Sequence, residues 1–202
     1  MIGIIDYGMG NLHSVKNALE FLAIENQIIA DPSEIESMDK IIIPGVGSFK
    51  RAMDNLHEKN FVDPLVKFGN SGKYLLGICL GMQLLAETGT EPTISSGLGL
   101  IPGSIELLKS DILRIPHMGW NGLKIKNDHP ILEGVKLGAD FYFVHSYAFH
   151  VESDENIVAV TPYGYDVPAI VKNKTGNIIG IQFHPEKSQK QGLKLIENFS
   201  NC

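Results

Sequence analysis

Short, almost wholly apolar runs at residues 2–5, 27–30, 41–43 and 75–78 alternate with stretches whose apolar residues return every three to four positions, as Leu12, Val15, Leu19 and Leu22 do. Runs apolar on both sides suit strands buried on both faces of a parallel sheet, and the three-to-four spacing between them suits crossover helices. Right-handed crossovers then put helices on both faces and collect the loops after the strands at one edge, where such folds carry their sites. After residue 100 the pattern changes. Residues 105–108, 122–125, 141–147, 157–160 and 169–171 are strand-like runs separated by Pro, Gly and Asn turns, with little helix between them, which predicts an antiparallel extension. A closing helix is predicted over 189–199, with Leu193, Ile196 and Phe199 at helical spacing. The expected fold is α/β, a mostly parallel central sheet with helices on both faces plus an antiparallel extension. No repeat or linker divides the chain, so residues 1–202 are expected to form one domain.

The run at 74–78 breaks at a single cysteine between glycines, Gly77-Ile78-Cys79-Leu80-Gly81, and a helical pattern starts at once. This is the strand, turn, helix layout of a nucleophile elbow with a thiol in place of the usual hydroxyl, the glycines allowing a turn sharp enough to push the central side chain out. A helix start would also bring a positive dipole end to the sulfur and favour the thiolate. Taken alone, these residues fit a buried cysteine acting as a small hydrophobe equally well. The far end of the chain shifts the balance. There the run 177–183 is followed directly by His184-Pro185-Glu186, which can set an imidazole and a carboxylate at the same sheet edge as Cys79. Cys79 is then the candidate nucleophile, His184 the general base and later acid, and Glu186 the group that orients the imidazole. A lone His-Pro would read as structural. A metal site built from the three has no short-range ligand spacing behind it.

A third loop supplies candidate donors for an oxyanion. The short strand-like segment Lys40-Ile41-Ile42-Ile43 runs into Pro44-Gly45-Val46-Gly47-Ser48, where glycines let backbone N–H groups turn toward a ligand. One donor is assigned to Leu80 N–H and the other to an N–H in the Val46 to Gly47 stretch. Ser48 also precedes the helical pattern Phe49, Ala52, Met53, Leu56 and is expected to cap it.

Composition narrows the setting. With 202 residues, 44% hydrophobic and 20% charged, the chain can bury one good core. A net charge of -6 argues against nucleic acid. No run approaches a membrane span, and no leader-like segment precedes residue 2. Cys79 and Cys202 give no disulfide framework, which suits a reducing cytoplasm. Neither cofactor nor metal is expected.

Together with Ile5-Asp6-Tyr7-Gly8-Met9-Gly10-Asn11-Leu12, Pro116-His117-Met118-Gly119-Trp120-Asn121 and Tyr142-Phe143-Val144-His145-Ser146-Tyr147, these stretches resemble the class I (triad) glutamine amidotransferases along the whole chain. The last two narrow the resemblance to the glutaminase subunits of histidine biosynthesis. It implies hydrolysis of L-glutamine to glutamate and ammonia through a cysteinyl thioester, with ammonia channelled to a (β/α)8-barrel cyclase in a heterodimer. It also implies that Gly47, Leu80, Gln83, Ser146 and Tyr147 surround the substrate, and that Asn11, Trp120 and Lys187 lie toward the partner. From the residues alone, Trp120 could fill core, Lys187 could be a solvated charge and Asn11 a helix cap. His13 stands where many such proteins have arginine, which leaves open a second partner, a sugar amidotransferase of surface polysaccharide synthesis. A different class, a cysteine hydrolase or a redox-sensing protein of the DJ-1-like superfamily, commonly has its histidine close after the cysteine. Here none occurs before His117.

Overall fold

In the computed structural model, which describes residues 1–109 and 113–202, the isoleucine-rich runs form the buried strands of a central sheet. The first part of the chain runs β1 (Ile2–Ile5), α1 (Leu12–Phe21), β2 (Asn26–Ile29), β3 (Lys40–Ile43), α2 (Phe49–Glu58), α3 (Val62–Asn70), β4 (Tyr74–Ile78) and α4 (Leu80–Gln83). It continues through β5 (Thr88–Gly89), β6 (Ser95–Ser96), β7 (Gly103–Leu107), β8 (His117–Gly122), β9 (Lys124–Ile125), β10 (Asp140–His145), β11 (Tyr147–Val151), β12 (Ile157–Pro162), β13 (Asp166–Lys172), β14 (Ile178–Ile181) and α5 (Gln189–Asn201). The eight-stranded sheet has the order β2-β1-β3-β4-β14-β13-β12-β9. Pairing is parallel from β2 through β14 and antiparallel beyond it.

The two faces are covered by separate helix layers. On one, Val15 and Leu19 of α1 and Leu195, Ile196 and Phe199 of α5 pack on Ile4, Ile42, Leu76 and Ile179. On the other, Ala52, Met53 and Leu56 of α2 and Leu65 and Phe68 of α3 pack on Ile5, Ile41, Ile43 and Leu75. Burial on both sides is why these strands read as unbroken apolar runs rather than alternating ones. Among the described residues, no helix is long and apolar enough to cross a membrane.

Three local expectations are corrected. The strand read over 141–147 is two strands, because the chain changes partners at Ser146. β10 pairs with β8 in a two-stranded ribbon, and β11 pairs with β7 in a separate sheet. The run read over 122–125 is really the end of β8 followed by a short β9, with the ribbon strand lying earlier, at His117–Gly122. Ser48 makes no side-chain cap bond on α2; the Glu91 carboxylate accepts the Phe49 N–H at 3.0 Å in its place.

The glycines around Cys79 are required by close approach. A Cβ on Gly81 would lie 1.8 Å from the Ile43 carbonyl oxygen, and one on Gly77 would lie 2.4 Å from the Gly81 carbonyl oxygen. Strand, elbow and helix are thus pressed against β3 at a distance that no side chain allows. Gly81→Ala is expected to cost about 3 kcal/mol or more, or to prevent folding, because backbone rather than a flexible side chain must move. Gly72→Ala, at φ +85 with nothing within 4 Å, is expected to cost only about 1–2 kcal/mol. Urea denaturation of both variants checks the contrast, and equal losses would remove the close-packing explanation.

Candidate active site

The carboxyl ends of β1, β3, β4 and β14 deliver the Asp6–Asn11 loop, the Pro44–Ser48 loop, Cys79 and the Gln182–His184 segment to one edge of the sheet. Cys79 sits at φ 54, ψ -110, a backbone conformation that L residues avoid unless the surroundings impose it. Its N–H donates to the Ile181 carbonyl at 2.7 Å, which fixes the elbow to the neighbouring strand. The helix that follows is a single turn. The aligned dipole that a helix start would bring to the sulfur is therefore short.

His184 Nδ1 lies 2.8 Å from Glu186 Oε1, and the two side chains are 3% and 1% exposed. The imidazole is held from behind: its backbone N–H donates to the Tyr142 carbonyl at 2.9 Å, and its carbonyl accepts from the Ser188 hydroxyl at 2.6 Å. Burial disfavours a charge on this ring, but the neighbouring Cys79 sulfur and the Glu186 carboxylate overcome it and raise the His184 pKa to about 9. The Cys79 thiol itself is directed at the Val144 carbonyl, 3.9 Å from the sulfur, and His184 Nε2 has no hydrogen-bond partner among the described residues.

Cys79 and His184 open into a cavity of about 350 Å³ lined also by Val46, Gly47, Leu80, Gln83, Glu91, Pro116, Val144, His145, Ser146 and Tyr147. The structure thus gathers Cys79, Val46, Gly47, Leu80, Gln83, Ser146, Tyr147 and His184 around one space, with Glu186 behind the imidazole. Asn11, Trp120 and Lys187 do not line it. Asn11 caps α1, its Oδ1 accepting from Ser14 N–H at 3.3 Å. Trp120 is 48% exposed, which excludes the core-filling reading, and its ring lies 5.9 Å from that of its cross-strand partner Tyr142. Lys187 is exposed at the end of the turn after His184.

Four further residues stand at this cavity or behind it. Gln182, fully buried, accepts from Gln83 Nε2 at 3.2 Å and approaches the Cys79 sulfur with its own Nε2 at 3.9 Å. Its signal is a lone amide at the end of an otherwise apolar strand. Glu91 brings a carboxylate to the cavity wall, with no local pattern to announce it. His117 and His145 are direct partners across the ribbon, with His117 Nδ1 3.0 Å from His145 Nε2 and His145 Nδ1 2.8 Å from the Tyr147 carbonyl. Because that carbonyl only accepts, His145 Nδ1 carries the proton and, in the neutral ring, Nε2 accepts from His117. Burial lowers both histidines to about 4. The Tyr147 carbonyl also accepts from Gln83 Nε2 at 3.2 Å, so the pair holds a wall of the cavity without adding charge.

Fold and site together point to one class, and the comparisons agree. Residues 3–201 match the family glutamine amidotransferase class-I; the chain belongs to that family. It is 48% identical over 199 residues to the imidazole glycerol phosphate synthase subunit HisH of Desulfitobacterium hafniense (98% of this chain, 93% of that one). It is 46% identical over 198 residues to the subunit of the same name from Methanosarcina acetivorans (98% and 96%). Among solved structures, PurLQS from Thermotoga maritima shares the fold with a TM-score of 0.79 at 22% identity, covering 99% of this chain and 97% of that chain. A crystal structure of another glutamine amidotransferase does so with a TM-score of 0.75 at 22% identity (99% and 97%).

The histidines give the stability of the protein a signed pH dependence. His184 rises from 6.5 to about 9 on folding, so its contribution is complete below about pH 6.5 and is lost as the pH climbs through 9. His117 and His145 fall from 6.5 to about 4, so theirs is present above 6.5 and is lost as the pH drops toward 4. Urea unfolding across pH 4–10 is expected to flatten on the alkaline side in His184→Asn and on the acid side in His145→Asn. An unchanged alkaline slope in His184→Asn would contradict the charged ring.

Proposed function

We propose that this chain is the glutaminase subunit of an imidazole glycerol phosphate synthase, hydrolysing L-glutamine to glutamate and passing the ammonia to a cyclase subunit. The observation that carries the reading is the single cavity at which a strained cysteine, a histidine paired to a buried carboxylate and a glycine loop converge. Relatives of that name, matching nearly the whole chain at 46–48% identity, supply the pathway. They favour this partner over a sugar amidotransferase, and this chemistry over a DJ-1-like role.

In this mechanism His184 takes the Cys79 thiol proton, the thiolate attacks the side-chain carboxamide carbon of glutamine, and the carbonyl electrons move to oxygen and return when the leaving group departs. Leu80 N–H and an N–H of the Val46–Gly47 stretch take up that charge, an arrangement commonly among the largest contributions in acyl transfer. His184 protonates the departing nitrogen, the C–N bond breaks, and ammonia leaves a thioester on Cys79. Water then attacks the thioester carbon while His184 accepts its proton. The C–S bond breaks, releasing glutamate and restoring the sulfur. Glu186 holds the imidazole through Nδ1 throughout and steadies its charged form. Gln83, Ser146 and Tyr147 hold the amino acid head, and Glu91 is the carboxylate available to an α-ammonium group.

The partner is a (β/α)8-barrel cyclase, forming a heterodimer with this chain in the cytoplasm. Free ammonia in neutral water is largely protonated and no longer nucleophilic, so product must pass between the sites away from bulk solvent. Asn11, Trp120 and Lys187 form part of the docking face. Met118 joins them, since it is exposed beside Trp120 on the same side of β8.

Glutamate release by the isolated chain is expected to be slow and to accelerate when the cyclase is added, because the partner sets the amide direction in the Val46 loop. Equally fast release without the cyclase would defeat this gating. Cys79→Ala is expected to lose at least about 10³-fold in turnover under both conditions. Substantial residual turnover in that variant would remove Cys79 as the nucleophile.

A further inference from the structure

The loop that supplies the second oxyanion donor is tied at its ends and open in its middle. At its start, the fully buried Tyr7 donates its hydroxyl to the Pro44 carbonyl at 2.8 Å. At its exit, Glu91 Oε2 accepts the Phe49 N–H at 3.0 Å. Between these anchors Val46 and Gly47 are exposed, and Gly47 takes φ +111 with Met9 Cε 2.6 Å from where a Cβ would stand. Gly45 is wedged. A Cβ there would lie 2.5 Å from the Tyr7 hydroxyl oxygen, 2.9 Å from Leu80 Cβ and 3.0 Å from the Gly81 nitrogen. The Tyr7 hydroxyl therefore presses on the loop from one side while the elbow turn bearing the first donor, Leu80, bounds it on the other.

Tyr7 is itself well fixed. Its backbone carbonyl accepts from Asn55 Nδ2 of α2 at 3.1 Å. Burial, and then the charge of the nearby Cys79 sulfur, suppress ionisation of the phenol, so it remains a donor. Tyr7 does not line the cavity and cannot act on substrate directly. Any influence it has on the chemistry passes through the peptide plane that it holds.

We propose that Tyr7 is a positioning residue for amide hydrolysis, its hydroxyl fixing the Pro44 carbonyl so that the Val46–Gly47 peptides stay oriented as oxyanion donors opposite Leu80. This rests on the glutaminase reading above. Because an oxyanion donor acts when charge develops on oxygen, loss of its orientation falls on kcat and spares KM. The effect should be smaller than the 10²–10³-fold cost typical of deleting a donor outright.

The test is Tyr7→Phe, which removes one oxygen and keeps the ring, assayed with the cyclase bound. Glutamine kcat is expected to fall about 10-fold with KM within about 2-fold of wild type. The rate of Cys79 alkylation by iodoacetamide, a displacement at saturated carbon that builds no oxyanion, is expected to stay within about 2-fold. Unchanged kcat would overturn the proposal, as would a rise in KM with kcat preserved, or a parallel loss of kcat and alkylation, which would mark general damage to the elbow. A Cys79→Ala arm separates the two levels. Turnover surviving in Cys79→Ala sinks the glutaminase reading itself, whereas an inactive Cys79→Ala beside a fully active Tyr7→Phe sinks only the role of Tyr7.

Discussion

The organisation of this protein depends on the contact between Gly81 and the carbonyl of Ile43. It lets the chain leaving β4 turn within a single residue and press against β3, with Cys79 at positive φ. Such a conformation costs free energy and persists only where surrounding structure over-determines it. Here the determinants are the in-register pairing of β4 with β3 and β14 and the hydrogen bond from Cys79 N–H to Ile181. Cys79 carries that strain at the point where the chain leaves the sheet.

The charges around the cavity are as specific as its shape. A buried imidazolium is tolerated at His184 because a carboxylate and a sulfur lie against it. On the ribbon, His145 and His117 are buried, hydrogen-bonded to each other and to a carbonyl, and they are held neutral. Like charges in one desolvated space would oppose each other, so the neutral pair is compatible with the protonated ring. Gln83 and Gln182 connect these regions through uncharged amides.

Much of this was legible in the chain because it is local. The parallel strands announce themselves by runs such as residues 41–43, and the elbow by the spacing of Gly77, Cys79 and Gly81. His184 and Glu186 follow a strand whose end is marked by proline. What escaped reading is long-range. Glu91 replaces the expected Ser48 cap by reaching a backbone N–H 42 positions away, and Tyr7 meets Pro44 across 37. Ser146 divides a seemingly continuous run because its two sides find different partners, which no periodicity within 141–147 encodes. His117 carried no sign of burial among Pro, Gly and Asn; its place follows from pairing with His145.

The adjacency of β4 and β14 has a consequence for how the site tolerates change. Ile78 and Ile181 are register partners, and sulfur and imidazole are carried one and three residues beyond them. The rung between those partners is roughly 4.8 Å, so the ladder brings the backbones that carry Cys79 and His184 to neighbouring places at one edge. The sheet thus serves as a ruler for the backbone on either side of the cavity. A change confined to an outer loop leaves that backbone spacing as it is, because the ladder and not the loop fixes it.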